Sequence, residues 1–277
     1  MKLPPFELRI ARSRHEALEQ LAALGSDARI LAGGQSLLPL LRYRLARPHV
    51  LVDINRIDDL RELRCAPDGV RIGALVTHAD LERAGGSDPG VAGLLRSHAR
   101  DIAFRPIRTR GTAVGSVVHA DPKGDWPLAL LALDGRIELQ SPRGTRTVHL
   151  RDFIAGPLDT TLEVDELATA IVLEPPAKLR WGRAKLQHRA GEYAACSAIV
   201  LEERGRWSCW MGAAGDRPFE LPKVEALLAG AASRKQVVEA ANAELETLLP
   251  VATAVERHRH AANLADAVEH AKQPKEA

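Results

Sequence analysis

Ala28-Arg29-Ile30-Leu31-Ala32-Gly33-Gly34-Gln35-Ser36-Leu37-Leu38 carries an apolar strand straight into a double glycine and then into a helical pattern. Two adjacent glycines permit a positive φ and a close approach of a ligand to the backbone. The helix start behind them adds partial positive charge, which suits a diphosphate. The stretch has neither the third glycine of G-x-G-x-x-G nor the lysine of a Walker loop. Taken alone, it reads first as a plain strand-to-helix turn.

The flanking sequence extends the pattern. On the N-terminal side, Phe6-Glu7-Leu8-Arg9 alternates as a half-buried strand. Ser13 is an N-cap candidate, with Glu16 placed to complete a capping box. Residues 16–24 keep Leu18, Leu21 and Ala22 on one helical face, and Gly25 closes the helix. On the C-terminal side, a short helix over residues 37–44 leads to Val50-Leu51-Val52-Asp53-Ile54 as a third strand. Strand–helix–strand–helix–strand at this spacing predicts a βαβαβ unit with a small parallel sheet.

Beyond residue 55 the pattern changes. Residues 60–65 and 70–72 read as paired strands across Pro67-Asp68-Gly69. Helices are expected over 77–84, 91–99 and 126–133. A hairpin follows around Ser141-Pro142-Arg143-Gly144, and then a strand over 167–173. Pro175-Pro176 marks a boundary. After it, residues 181–186, 194–201 and 206–213 read as an antiparallel meander, with helices over 223–228, 234–249 and 255–271.

Composition narrows the function. The 277 residues are 45% hydrophobic and 27% charged, enough to bury a core without staples. Lys and Arg number 38 against 36 Asp and Glu, a net charge of +2, so no basic field points to nucleic acid. Cys65, Cys196 and Cys209 are scattered and lack C-x-x-C spacing, which argues against a disulfide framework or an iron–sulfur centre in this chain. No leader-like apolar region follows Met1, and no run of about 18 apolar residues predicts a membrane span. The expectation is a cytoplasmic globular protein.

A second glycine-bearing stretch, Arg108-Thr109-Arg110-Gly111-Thr112-Ala113-Val114-Gly115-Ser116, runs on to His119-Ala120-Asp121-Pro122. It reads as a loop between packed elements. His119 and Asp121 are two candidate ligands without a third, a weak signal for metal. His119 reads better as a polar residue positioning the loop. Arg257-His258-Arg259-His260 reads as solvated charge or a subunit contact.

Taken in order, these segments resemble the flavin-binding medium subunit of the molybdenum hydroxylases, the family of carbon monoxide dehydrogenase and the FAD portion of xanthine dehydrogenase. The likeness begins at Ala32-Gly33-Gly34-Gln35-Ser36-Leu37-Leu38-Pro39 and continues through Arg44-Leu45-Ala46-Arg47-Pro48 and Leu51-Val52-Asp53-Ile54. It resumes at Ile107-Arg108, Gly111-Thr112, Gly115-Ser116 and His119-Ala120-Asp121-Pro122. It ends with Lys185, Arg189-Ala190-Gly191-Glu192-Tyr193-Ala194 and Gly212-Ala213-Ala214-Gly215-Asp216-Arg217-Pro218.

The resemblance implies an α+β fold. A two-lobed PCMH-type FAD-binding domain over 1–176 has a small parallel βαβαβ lobe and a larger mixed or antiparallel lobe. A smaller C-terminal domain over 177–277 has a three-stranded antiparallel sheet and helices. The resemblance also implies the site. Ala32, Gly33, Gly34, Gln35 and Ser36 grip the pyrophosphate of FAD. Thr112, Ala113, Val114, Gly115 and Ser116 approach it from the other side. Asp125 contacts the cofactor, Tyr193 lies against the isoalloxazine ring, and Lys185 is a further contact.

Two positions depart from the family pattern. Val114 replaces the first of two paired glycines, and a β-branched residue resists positive φ and close backbone approach. Thr109 stands where asparagine is usual. The second loop therefore either shifts its backbone or loses affinity; with the first loop and Tyr193 intact, retained FAD binding is the expectation.

The implied function is electron transfer. A small [2Fe-2S] subunit passes electrons to FAD here, a large molybdenum–pterin subunit oxidises substrate, and an external acceptor takes the electrons. The assembly implied is a dimer of heterotrimers. No catalytic acid, base or metal ligand is assigned in this chain. On the residues alone, a stand-alone flavin oxidoreductase, an assembly subunit with a decayed FAD site and a nucleotide-binding regulator stay open.

Overall fold

A computed structural model of the protein describes residues 3–66, 68–84, 90–174 and 178–273. The first lobe is built from β1 (Glu7–Ile10), α1 (Arg14–Leu24), β2 (Ala28–Leu31), α2 (Leu37–Arg42) and β3 (Val50–Asp53). The sheet is parallel in the order β1-β3-β2, with Leu51 opposite both Leu8 and Arg29. Val50, Leu51 and Val52 are continuous in sequence because the central strand is buried on both faces. The Ser13 side chain accepts the Glu16 N–H as expected. The Glu16 carboxylate accepts the Arg12 N–H, so the reciprocal half of the box forms one residue early. Gly25 ends α1 at φ 52°, and its N–H donates to the Leu21 carbonyl. Leu18 and Leu21 are buried, but Ala17 rather than Ala22 completes the stripe.

The second lobe is larger. It comprises β4 (Leu63–Ala66), β5 (Gly69–Gly73), α3 (His78–Arg83), α4 (Val91–Arg100), α5 (Arg105–Arg108), α6 (Ala113–His119) and α7 (Asp125–Ala132). It continues through β6 (Arg136–Ser141), β7 (Gly144–His149), α8 (Leu150–Phe153), β8 (Ile154–Gly156), β9 (Asp159–Thr160) and β10 (Leu167–Leu173). Its main sheet is antiparallel throughout, in the order β4-β5-β10-β6-β7. β10 lies in the middle and is buried along almost all its length, so its sequence shows no alternation. Ala66 pairs with Gly69 across the expected turn, of which Pro67 lies outside the described residues. Pro175-Pro176 also lies outside them.

The remaining elements are β11 (Arg180–Leu186), β12 (Cys196–Glu203), β13 (Arg206–Gly212), β14 (Phe219–Glu220), α9 (Pro222–Leu228), α10 (Arg234–Leu248) and α11 (Ala254–Lys272). The meander is as expected, except that the sheet has four strands rather than three. β14 pairs only Phe219 and Glu220 with Met211 and Trp210, and two residues carry no periodicity. β12 and β13 are buried on both faces. Ile199, Leu201 and Trp210 join the core of the second lobe, including Leu128 of α7. Ala198, Val200, Cys209 and Met211 join a separate core under α10 and α11. Of Arg257-His258-Arg259-His260, His260 is buried rather than solvated. Among the described residues, no helix is long and apolar enough to cross a membrane.

Candidate functional site

A cavity of about 800 Å³ opens between the two lobes, with one wall contributed by the loop before β12. The β2–α2 turn lines it from the first lobe. Asn55 pins that turn from the end of β3: its Nδ2 donates to Ala32 O at 2.9 Å and to Asp53 Oδ1 at 2.7 Å. Gly34 takes φ +73°, the conformation that calls for glycine. Gly33 is needed for space instead. A Cβ there would stand 2.1 Å from Arg110 O and 2.9 Å from the Gly111 Cα, so the two glycine turns touch backbone to backbone. Gly34 O accepts the Leu38 N–H, and Ser36 precedes α2 without a side-chain cap bond. Among the described residues, the N–H groups of Gly34, Gln35 and Ser36 have no protein acceptor.

The second turn is built by pairing with residues 76–78. His78 N donates to Gly111 O at 2.9 Å and Ala113 N to Val76 O at 3.4 Å, around a Thr77–Thr112 bridge. What reads in sequence as a loop is the N-cap and first turns of α6. Thr112 Oγ1 accepts the Gly115 N–H at 3.1 Å. A Cβ on Gly115 would sit 2.7 Å from that oxygen, so a side chain there would have to shift the Thr112 cap. The N–H groups of Thr112 and Val114 have no acceptor among the described residues.

The conflict expected at Val114 does not arise. Val114 lies in α6 with negative φ, and its side chain is buried in the core. Thr109 is exposed at the end of α5, its hydroxyl bonded to Pro106 O, and it does not line the cavity.

Ala32, Gly33, Gly34, Gln35, Ser36, Thr112, Val114, Gly115, Ser116, Asp125 and Tyr193 therefore meet on one cavity. Ala113 and Lys185 do not line it. Ala113 is buried and its N–H is spent on Val76. Lys185 stands behind Asp125, its Nζ 2.8 Å from Asp125 Oδ1. Burial pushes the Asp125 carboxyl up, against the lowering effect of the Lys185 ammonium. Tyr193 is half-exposed at the mouth, within reach of Asp121. Desolvation and the Asp121 carboxylate push its phenol up to about 12, so it stays a neutral donor.

Sequence reading missed the support behind this wall. Trp126, buried in α7, donates from Nε1 to His78 Nδ1 at 2.9 Å. Indole N–H is only a donor, so His78 carries its proton on Nε2. His98 Nε2 donates to Asp125 O at 2.8 Å and holds the start of α7. Burial lowers His78 to about 4 and His98 to about 3, from an ordinary 6.5. Both are thus folded as neutral rings. Their stabilising contribution is full above pH 6.5 and is lost as pH falls from there toward 4 for His78 and toward 3 for His98, because the unfolded chain takes up the protons first. Denaturant titrations should show stability falling in that window by up to about 1.4 kcal/mol per pH unit for each histidine. His98→Gln should remove one proton's share of the slope; an unchanged slope would contradict the burial described.

Comparison with known proteins gives the site its chemistry. The family described as the FAD binding domain in molybdopterin dehydrogenase matches residues 4–176. The chain is 39% identical to the nicotine 6-hydroxylase medium subunit of Paenarthrobacter nicotinovorans, over 73% of this chain and 70% of that one. It is 38% identical to the carbon monoxide dehydrogenase medium chain of Hydrogenophaga pseudoflava, over 73% and 71%. Among solved structures, quinoline 2-oxidoreductase from Pseudomonas putida 86 superposes with a TM-score of 0.89 at 30% identity, covering 98% of this chain and 99% of that one.

The chain belongs to this family.

It is an FAD-binding medium subunit of the molybdenum hydroxylases, an oxidoreductase component with a mixed α/β fold. The cavity fits that cofactor. Its volume lies in the upper range of small-molecule sites. Unspent N–H groups on both glycine turns suit the two negative charges of a pyrophosphate, and no carboxylate lies within residues 32–36 or 111–116 to oppose them. Among the described residues, no group of three or more His, Cys, Asp or Glu is placed to hold a metal ion.

Proposed function

We propose that residues 32–36 and 112–116 hold the pyrophosphate of FAD between the lobes, and that this chain relays electrons from a [2Fe-2S] subunit to an external acceptor. The observation carrying this reading is that two turns with unspent N–H groups touch at Gly33 and Arg110 and line one cavity. Bound FAD supplies a centre that stores an electron pair and exchanges electrons with one-electron donors. The chain's own residues bind and orient it. Gly34, Gln35, Ser36, Thr112 and Val114 direct N–H groups at the anion. Asp125 lies on the wall, backed by Lys185, and Tyr193 supplies an aromatic face that excludes water.

Partner subunits carry the molybdenum–pterin centre and the clusters, in a cytoplasmic dimer of heterotrimers. The FAD-binding unit is residues 1–176 and the C-terminal unit residues 177–277. The reading of a decayed site loses its motive, since Val114 sits in helical backbone. Gentle purification tests the assembly: the flavin-bearing chain should elute with an iron-bearing chain. A lone monomer, fully active in oxidising its substrate, would contradict it.

Tyr193→Ala should leave FAD bound and change its reduction potential and the rate of reoxidation by an added acceptor. Tyr193→Phe should restore both if stacking is what matters. An unchanged potential and rate in the alanine variant would count against the aromatic wall.

A further inference from the structure

Behind the Asp125 wall lies a second cavity, of about 660 Å³, between α4 and the β11–α11 layer. Asp101, Arg183, Lys185, Asn263, Asp266 and His270 line it. One ion pair divides it from the main cavity. Lys185 Nζ lies 2.8 and 2.9 Å from the two Asp125 oxygens and donates to Asp101 O at 3.0 Å. The two side chains are only 7% and 11% exposed, yet Lys185 lines the second cavity and Asp125 the first. Four charged side chains, Asp101, Arg183, Lys185 and Asp266, line the second cavity. Asp101 and Asp266, both about half-exposed, connect the cavity to solvent.

We propose that Lys185 and Asp125 form a proton relay from solvent in the second cavity to the cofactor in the main one. This rests on the reading that FAD occupies the main cavity. Electrons arriving singly from a cluster bring no protons, and the negative charge they add is costly in a dry site unless protons follow.

The relay balances as follows. An N–H bond of the Lys185 ammonium breaks and its proton passes to Asp125 Oδ, leaving a neutral amine beside a neutral acid. That neutral pair is transient and is drained as the reduced ligand takes the proton from Asp125. Asp125 then gives its proton to the reduced ligand in the main cavity and is a carboxylate again. A hydronium ion in the second cavity reprotonates the amine and becomes water.

The charged and titratable groups around the pair are consistent with this. Asp101 follows α4 and Arg183 is on β11, and these two pair with each other. His98 of α4 stays neutral. Asp266 of α11 is held by Arg234, and His270 Nδ1 is bonded to the Arg183 carbonyl. Burial raising the Asp125 carboxyl favours its taking a proton.

The test uses the full chain carrying FAD, reduced in a stopped-flow instrument by reduced methyl viologen, which gives electrons without protons. Flavin bleaching reports electron arrival, and an indicator dye reports proton uptake. Lys185→Ala and Lys185→Arg should slow proton uptake by about tenfold or more. Methylammonium should restore it in the alanine variant and not in the arginine variant. Wild-type uptake in Lys185→Arg, or no rescue of Lys185→Ala, would overturn the relay. If these substitutions empty the flavin site, Ser97→Trp decides. It fills the second cavity and leaves the pair intact, and it should slow uptake by the same factor at full FAD occupancy. Unchanged uptake would overturn the relay. Failure of the wild-type chain to bind FAD would instead overturn the reading of the main cavity.

Discussion

Gly33→Ala is expected to abolish FAD retention while leaving the chain folded. The added methyl would stand 2.1 Å from Arg110 O and 2.8 Å from its carbonyl carbon. Both are backbone atoms, so no side chain can swing aside. The two glycine turns must part by more than an ångström, about the precision at which a binding constellation fails. Five N–H groups that share one anion would then no longer converge. A loss of about 100-fold in FAD affinity, about 2.8 kcal/mol, is the expected size. Absorbance of the purified variant reports occupancy, and circular dichroism reports the fold. Gly156→Ala is the control, since a Cβ there meets nothing within 4 Å and the backbone φ is ordinary. It should bind FAD as the parent does. Full occupancy in Gly33→Ala would mean that the pyrophosphate lies elsewhere.

Gly182→Ala should have the largest effect on stability. β11 crosses α11 so closely that a Cβ on Gly182 would lie 1.8 Å from Ala267 O and 2.5 Å from Ala271 N. Overlap with main-chain atoms of a helix can be relieved only by separating the strand from the helix. Overpacking of this kind costs about 3 kcal/mol or more. In a chain of this size that lowers the melting temperature by roughly 6–12 °C. FAD occupancy should fall with it, because Lys185 sits three residues along the same strand and braces Asp125. A melting temperature within a degree of the parent would show that β11 and α11 are not packed as described.

The legible parts of the fold were those with a strong local signal. β1, α1, β2 and β3 announce themselves through alternation, an N-cap at Ser13 and a stop at Gly25, and the parallel sheet follows from their spacing. The meander of β11, β12 and β13 was equally plain. β14 was not, because two residues show no period. α5 and α6 were hidden for a different reason. α5 is a single turn of four residues, and the start of α6 is fixed by pairing of residues 111–113 with residues 76–78, a contact between segments more than thirty positions apart.

The site shows the same division. Gly33 and Gly34 are visible as a double glycine, but their tasks differ: Gly34 serves a positive φ and Gly33 an inter-turn contact. Val114 looks like a lesion when the second turn is read as a loop, and like a core residue once that turn is a helix start. Trp126, His78 and His98 gave no local sign, since only the packing of α3, α4 and α7 makes them a group. Tyr193 is legible through Gly191-Glu192-Tyr193-Ala194, part of the sequence that carries the family resemblance.

Hydrogen–deuterium exchange of the chain with and without FAD tests the central claim most directly. The amides of Gly34, Gln35, Ser36, Thr112 and Val114 have no protein acceptor, so a bound pyrophosphate is what should slow them. Protection of residues 34–36 and 112–114 together, competed away by ADP, is the predicted result. Protection of one turn alone, or of neither while FAD is bound, would contradict a cofactor held between the two lobes.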